Sequence, residues 1–179
     1  MDPKQHAIRN KQRERQQRGS DFEAEIKRSW PFVENVWHMK LKDGGGSTNA
    51  ADRIVLTNEV NILTEMKRTK GKRFELGFLR QNQIRGLIDF DQVIDRNFGI
   101  VFVSFHNPDI GLDETYAFRL ETAIRFMRQR DRLHIKLTEF QSGTFSSVKI
   151  PRVDAAQPRY DLKELMRFVT DIYQSQYTN

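Results

Sequence analysis

Cysteine is absent from this 179-residue chain, which excludes a disulfide framework, a thiolate metal site and a cysteine nucleophile. Histidine is scarce: His6, His38, His106 and His134 are scattered and make no histidine-rich metal cluster. No apolar run approaches the roughly 20 residues of a membrane span, and the opening stretch MDPKQHAIRNKQ has no signal-peptide core. A cytoplasmic protein without a membrane partner is the expectation. Phenylalanine, by contrast, is plentiful at 13 residues within a 37% hydrophobic content. A chain of this length can bury about two thirds of its unfolded surface in one core, so a single folded domain is expected.

The formal net charge is +6, and it is unevenly placed. Residues 1–18 hold six basic and two acidic side chains with four glutamines and no aromatic, which reads as a flexible basic arm preceding a single domain at 19–179. Residues 65–86 hold Lys67, Arg68, Lys70, Lys72, Arg73, Arg80 and Arg85 against only Glu65 and Glu75, and Arg125, Arg128, Arg130 and Arg132 follow later. Such blocks are the footprint of a polyanion binder.

Ser20 and Glu23 have the spacing of a capping box, and Phe22, Ile26 and Trp30 recur at i, i+4, i+8, so a helix is expected to start there and end at Pro31. Trp37, Met39 and Leu41 alternate with His38, Lys40 and Lys42, which predicts a half-buried strand. Asp43 to Asn49, with three glycines, reads as a flexible loop. Arg53–Thr57 and Val60–Met66, separated by Asn58-Glu59, read as a hairpin. A charged loop from Arg68 to Glu75 leads to a helix from Leu79 to Ile94. The continuous apolar run Gly99–Phe105 suits a strand covered on both faces. A strand at Tyr116–Leu120 and helices at Glu121–Arg130 and Leu162–Tyr173 complete a mixed central β-sheet flanked by helices, an α/β domain.

Within this order, one cluster carries chemistry. A metal-dependent nuclease holds hard cations beside the scissile phosphate with oxygen ligands and needs a fixed positive charge nearby. Residues i and i+2 of a strand share a face, so Glu65 and Lys67 point together while Met66 turns to the core. Asp52, at the start of the preceding hairpin strand, can reach the same end of the sheet. Acid-x-Lys also occurs at Asp2, Glu25 and Asp161, but only Glu65-Met66-Lys67 ends an apolar strand with an acid across a hairpin.

The series Ser47-Thr48, Asp52, Glu65-Met66-Lys67-Arg68-Thr69-Lys70-Gly71-Lys72, Gln83-Ile84 and Gly99–Val103 resembles the RecU family, Holliday junction resolvases of Gram-positive bacteria and their phages within the PD-(D/E)XK nuclease superfamily. Gln81 stands where that family has a histidine, and Asn49-Ala50-Ala51 inserts two residues before Asp52. The resemblance implies a restriction-endonuclease-like core, with Asp52 and Glu65 binding Mg²⁺, Mn²⁺ as its substitute, and Lys67 as the catalytic lysine. It further implies Glu23 as a metal-site and catalytic residue, with Glu25 as the substitute, and Gln83 as a support of the site. Ser47, Thr48, Arg68, Lys70, Lys72 and Arg73 would contact DNA. The implied substrate is a four-way DNA junction in recombination and repair. Cutting two strands of opposite polarity implies a two-fold homodimer, and a recombinase is a further implied partner. Another superfamily nuclease acting on duplex or single strands, or an inactive junction-binding protein, are the alternatives.

Overall fold

The computed structural model describes residues 3–41 and 49–176. It opens with α1 (Pro3–Ser29), which passes into a 3-10 turn at Trp30–Phe32 where Pro31 removes a backbone donor. The helix runs unbroken through Ser20, so the expected capping box is not a helix start. Its first half, expected as a separate arm, is helical and is exposed on every side from Gln12 to Gln17. Only from Phe22 onward does an apolar stripe, Phe22, Ile26 and Trp30, become fully buried.

Strands β1 (Val36–Lys40), β2 (Arg53–Thr57) and β3 (Asn61–Thr69) form an antiparallel meander, and β2–β3 is the expected hairpin. β4 (Arg73–Glu75) lies within the segment expected to be a charged loop. Then come α2 (Gln81–Val93), β5 (Asn97–Asn107), β6 (Leu112–Arg119) and α3 (Leu120–Gln129). The chain closes with β7 (His134–Lys136), α4 (Leu137–Gln141), β8 (Val148–Lys149), β9 (Arg152–Val153), β10 (Arg159–Tyr160) and α5 (Lys163–Ser175). The main sheet has the order β1-β2-β3-β5-β6-β8, with β3 and β5 parallel and the other pairs antiparallel. The expected mixed sheet flanked by helices is therefore observed. Among the described residues, no helix is long and apolar enough to cross a membrane.

Each sheet face has its own core. Phe22 and Ile26 of α1, Trp30 of the turn that follows it, and Leu165 and Val169 of α5 meet Val55, Ile62, Met66, Ile100 and Phe102 on one face. On the other, Leu87 of α2 and Ala123, Phe126 and Met127 of α3 meet Leu63, Val101, Val103 and Phe118. β5 is buried from Asn97 to Phe105, as its uninterrupted apolar run requires. Two glycines let α2 approach: a Cβ on Gly99 would lie 2.4 Å from the Leu87 carbonyl oxygen, and one on Gly86 would lie 2.4 Å from Ala50 Cβ.

β1 has the expected period, but its faces are inverted. Trp37 and Met39 are 53% and 47% exposed, whereas His38 is half-buried beside Trp30. The strand is the edge of the sheet and α2 does not extend over it, so its apolar side faces solvent.

Candidate active site

The hairpin register pairs Arg53 with Thr64, so the next position outward sets Asp52 across from Glu65. Asp52 N–H donates to the Thr64 carbonyl at 2.9 Å, and the Met66 N–H donates to Asp52 Oδ2 at 2.7 Å. Leu41, the residue after β1, donates its N–H to the Asp52 carbonyl at 2.9 Å. Asp52 is thus fixed by backbone on both sides. Asn49 reinforces this corner, donating to the Leu41 carbonyl and accepting at its own carbonyl from Asn82 of α2.

Glu65 and Lys67 share the face that α2 covers, as alternation requires. Lys67 Nζ lies 2.5 Å from Glu65 Oε1. Gln83 Nε2 donates to the same oxygen at 2.7 Å, while Gln83 Oε1 accepts from Arg80 N–H at 2.9 Å and from Lys67 at 3.5 Å. The amide of Gln83 therefore clamps both members of the pair from the N-terminus of α2. Glu23 approaches from α1 and is held by Lys40 Nζ at 2.6 Å. Lys40 is a site residue the sequence did not disclose, because a lysine alternating on an edge strand looks like any solvated position.

The electrostatics are those of too many carboxylates in too little water. Burial, with the nearby charges of Asp52 and Glu23, pushes Glu65 up to about 7 against the opposing Lys67 ammonium. Burial also raises Asp52, with the Met66 N–H opposing it and the Glu23 charge adding to it. Glu65 Oε2 is buried without a hydrogen-bond partner among the described residues. An unpartnered buried carboxylate oxygen beside a second carboxylate fits a hard divalent cation, which favours oxygen ligands and would oppose the upward shifts of both groups. Among the described residues, no group of three or more His, Asp or Glu side chains gathers as a metal cluster. Glu23, expected as a third ligand, is engaged by Lys40.

Glu25, the expected substitute for Glu23, and Arg68, expected at DNA, are placed elsewhere. Arg68 follows Lys67 and so points to the opposite face, where it forms a pair with Glu25 in which the side chains are 4% and 8% exposed. Its guanidinium also donates to Ser104 Oγ and Tyr160 Oη, and Arg152 bonds Glu25 at 3.2 Å. This network ties α1 to β3, β5, β9 and β10. Removing one member of a buried pair strands the other, so Arg68→Ala is expected to destabilise the fold by about 3–5 kcal/mol. A thermal melt should show the midpoint about 10 °C lower. An unchanged melt with weakened DNA binding would return Arg68 to the DNA surface.

Lys70 and Arg73 are exposed and paired with Asp109 at 3.0 Å and Glu75 at 2.7 Å, and Lys72 is exposed between them. Ser47 and Thr48 lie outside the described residues. The structure thus brings together Glu23, Asp52, Glu65, Lys67 and Gln83, adds Lys40, and sets Arg68 and Glu25 apart.

No family model matches the chain, and no curated protein matches it. Among solved structures it is similar to Hjc, a Holliday junction resolvase of the archaeal hyperthermophile Archaeoglobus fulgidus, at 13% identity and a TM-score of 0.46 over 69% of this chain and 93% of that one.

Proposed function

We propose that the chain is a structure-selective endodeoxyribonuclease that resolves four-way DNA junctions by Mg²⁺-dependent paired nicking, acting as a homodimer of the PD-(D/E)XK type. The observation that carries this reading is the Asp52–Glu65 carboxylate pair, clamped by Lys67 and Gln83, with a buried Glu65 oxygen left for a cation. The ordered RecU-like motifs on the same residues supply the junction as substrate.

Asp52 and Glu65 would hold Mg²⁺ or Mn²⁺, which supplies Lewis-acid polarisation of the scissile phosphate and a bound water of lowered pKa. The protein's own part is orientation and charge. Met66 N–H fixes the Asp52 carboxylate, and Gln83 fixes Glu65 and Lys67 relative to each other. Lys67, 23% exposed, presents an ammonium to the side from which a phosphate arrives. There it orients the attacking water and offsets negative charge developing on the phosphorus oxygens. In-line attack leaves a 5′-phosphate and a 3′-hydroxyl.

Lys70, Lys72, Arg73 and the exposed Arg9, Arg13 and Arg15 of α1 contact phosphates without reading bases. The surface pairs of Lys70 and Arg73 are weak and exchange readily for phosphate. Junction affinity should therefore fall steeply with salt.

The test is cleavage of a synthetic four-way junction beside a linear duplex of the same arm sequence, with Mg²⁺ and with chelator, and with Asp52→Asn as control. Paired symmetric nicks confined to the junction and lost in both controls are expected. Equal cutting of the two substrates would make the chain a general nuclease, and tight junction binding without cleavage would remove the enzyme reading.

A further inference from the structure

Two lysines serve the carboxylates from opposite flanks, and they differ in how firmly they are held. Lys67 is paired with an almost wholly buried Glu65 and is bound a second time by Gln83. Lys40 makes one described contact, to Glu23, in a pair whose side chains are 59% and 31% exposed. An ion pair that open to water contributes little net stability, so it can be exchanged without disturbing the fold.

The backbone of Lys40, by contrast, is well fixed. The β1–β2 register sets it opposite Arg53, and the next residue, Leu41, bonds the Asp52 carbonyl. Lys40 is therefore carried on the strand that abuts Asp52, and only its side chain is free to swing. Glu23 is not left without a cation if it does. The Arg53 side chain, buried and bonded to His38, feels the charges of both Glu23 and Asp52.

We infer that Lys40 is a second phosphate-binding lysine of the site, occupied by Glu23 in the metal-free protein and released to a DNA phosphate when a divalent cation takes up the carboxylate charge. The inference rests on the nuclease reading above and adds a residue to it. Its logic is counterion exchange: before a cation arrives, the surplus of Glu23, Asp52 and Glu65 draws Lys40 inward. Once that surplus is neutralised, the nearest uncompensated anion is the phosphate backbone. Lys40 thereby makes DNA binding and cation binding support each other, which is a coupling between two ligands.

The test is equilibrium binding of a four-way junction to the full chain at several salt concentrations, in chelator and in Ca²⁺, for the parent, Lys40→Gln, Glu23→Gln and the double variant. A phosphate contact contributes about one to the slope of log affinity against log salt. Lys40→Gln is expected to leave that slope unchanged in chelator, to lower it by about one in Ca²⁺, and to lower it by about one in chelator when Glu23 is already glutamine. The same loss in all three settings would make Lys40 an ordinary surface contact and overturn the exchange, as would no loss in any. Melting curves of the variants, expected to match the parent, guard against unfolding. Cleavage by the parent chain in Mg²⁺ is read separately, so a failure of the nuclease reading is distinguishable from a failure of this one.

Discussion

Lys67→Ala is expected to lower the single-turnover rate of junction cleavage by about 10²–10³-fold while junction binding stays within a few-fold of the parent. On the nuclease reading proposed above, the lysine has two separable roles. Its ammonium, 2.5 Å from Glu65 Oε1, is the principal charge opposing the upward shift of Glu65. Without it Glu65 moves further up, and a cation must compete with a proton to higher pH. Its exposed side also supplies positive charge where the phosphate would bear new negative charge, and no pH change restores that. The rate–pH profile at saturating Mg²⁺ separates the two: the acid limb should move to higher pH, and the plateau above it should remain depressed by most of the loss. A plateau that recovers the parental rate would reduce Lys67 to a counterion of Glu65 and transfer the transition-state charge to some other group. Lys67→Arg should recover part of the plateau, because the charge returns but the Gln83 clamp was built around an ammonium.

The parts of this site legible in the sequence are those where strand periodicity and chemistry coincide. Glu65 and Lys67 had to share a face, and the hairpin had to return Asp52 to them, because Asn58-Glu59 left room for little else. Gln83 rested on resemblance, and the structure gives it a physical reason: its amide joins the N-terminus of α2 to Glu65 and Lys67. Arg68 shows the same periodicity neglected. One residue past Lys67, it had to face the other core, whatever its charge shared with Lys70 and Lys72.

Other features were beyond a one-dimensional pattern. In β1 the alternation is real, yet which set of residues faces inward depends on whether a helix covers that edge, and α2 stops short of it, so Trp37 and Met39 are exposed. Ser20 and Glu23 read as a helix start, but a helix can pass through both when Phe22, Ile26 and Trp30 anchor it to the sheet. The strands β4, β7, β8, β9 and β10 are two or three residues each, too short for any period to register. Lys40 becomes visible only once α1 and β1 are set side by side, since the stretch that separates it from Glu23, 17 positions earlier, carries no pattern that links them.

Glu65→Gln should alter stability as strongly as it alters activity, and in a direction that identifies the cation site without any cleavage. With Glu65 near 7 in the folded chain against an ordinary value near 4.5, the folded state binds more protons than the unfolded state across that interval. Stability of the metal-free protein therefore falls as pH rises from about 4.5 to 7, by about 3 kcal/mol from this one group, or about 6–12 °C in melting midpoint. Asp52, shifted in the same direction, adds to the fall. The variant cannot ionise at position 65, so its contribution to the decline should vanish. Its buried amide would leave an N–H where Glu65 Oε2 now lacks a partner, which costs about 1–3 kcal/mol at every pH. The expected result is a variant less stable than the parent at pH 5 and level with it or above it at pH 8 in chelator. Mg²⁺ should then raise the parent's midpoint at pH 8, more weakly at pH 5, where the cation must displace a proton, and hardly at all in the variant. Parallel pH profiles for parent and variant in chelator would mean that Glu65 is ionised without a cation, and the case for a metal held between Asp52 and Glu65 would lose its physical basis.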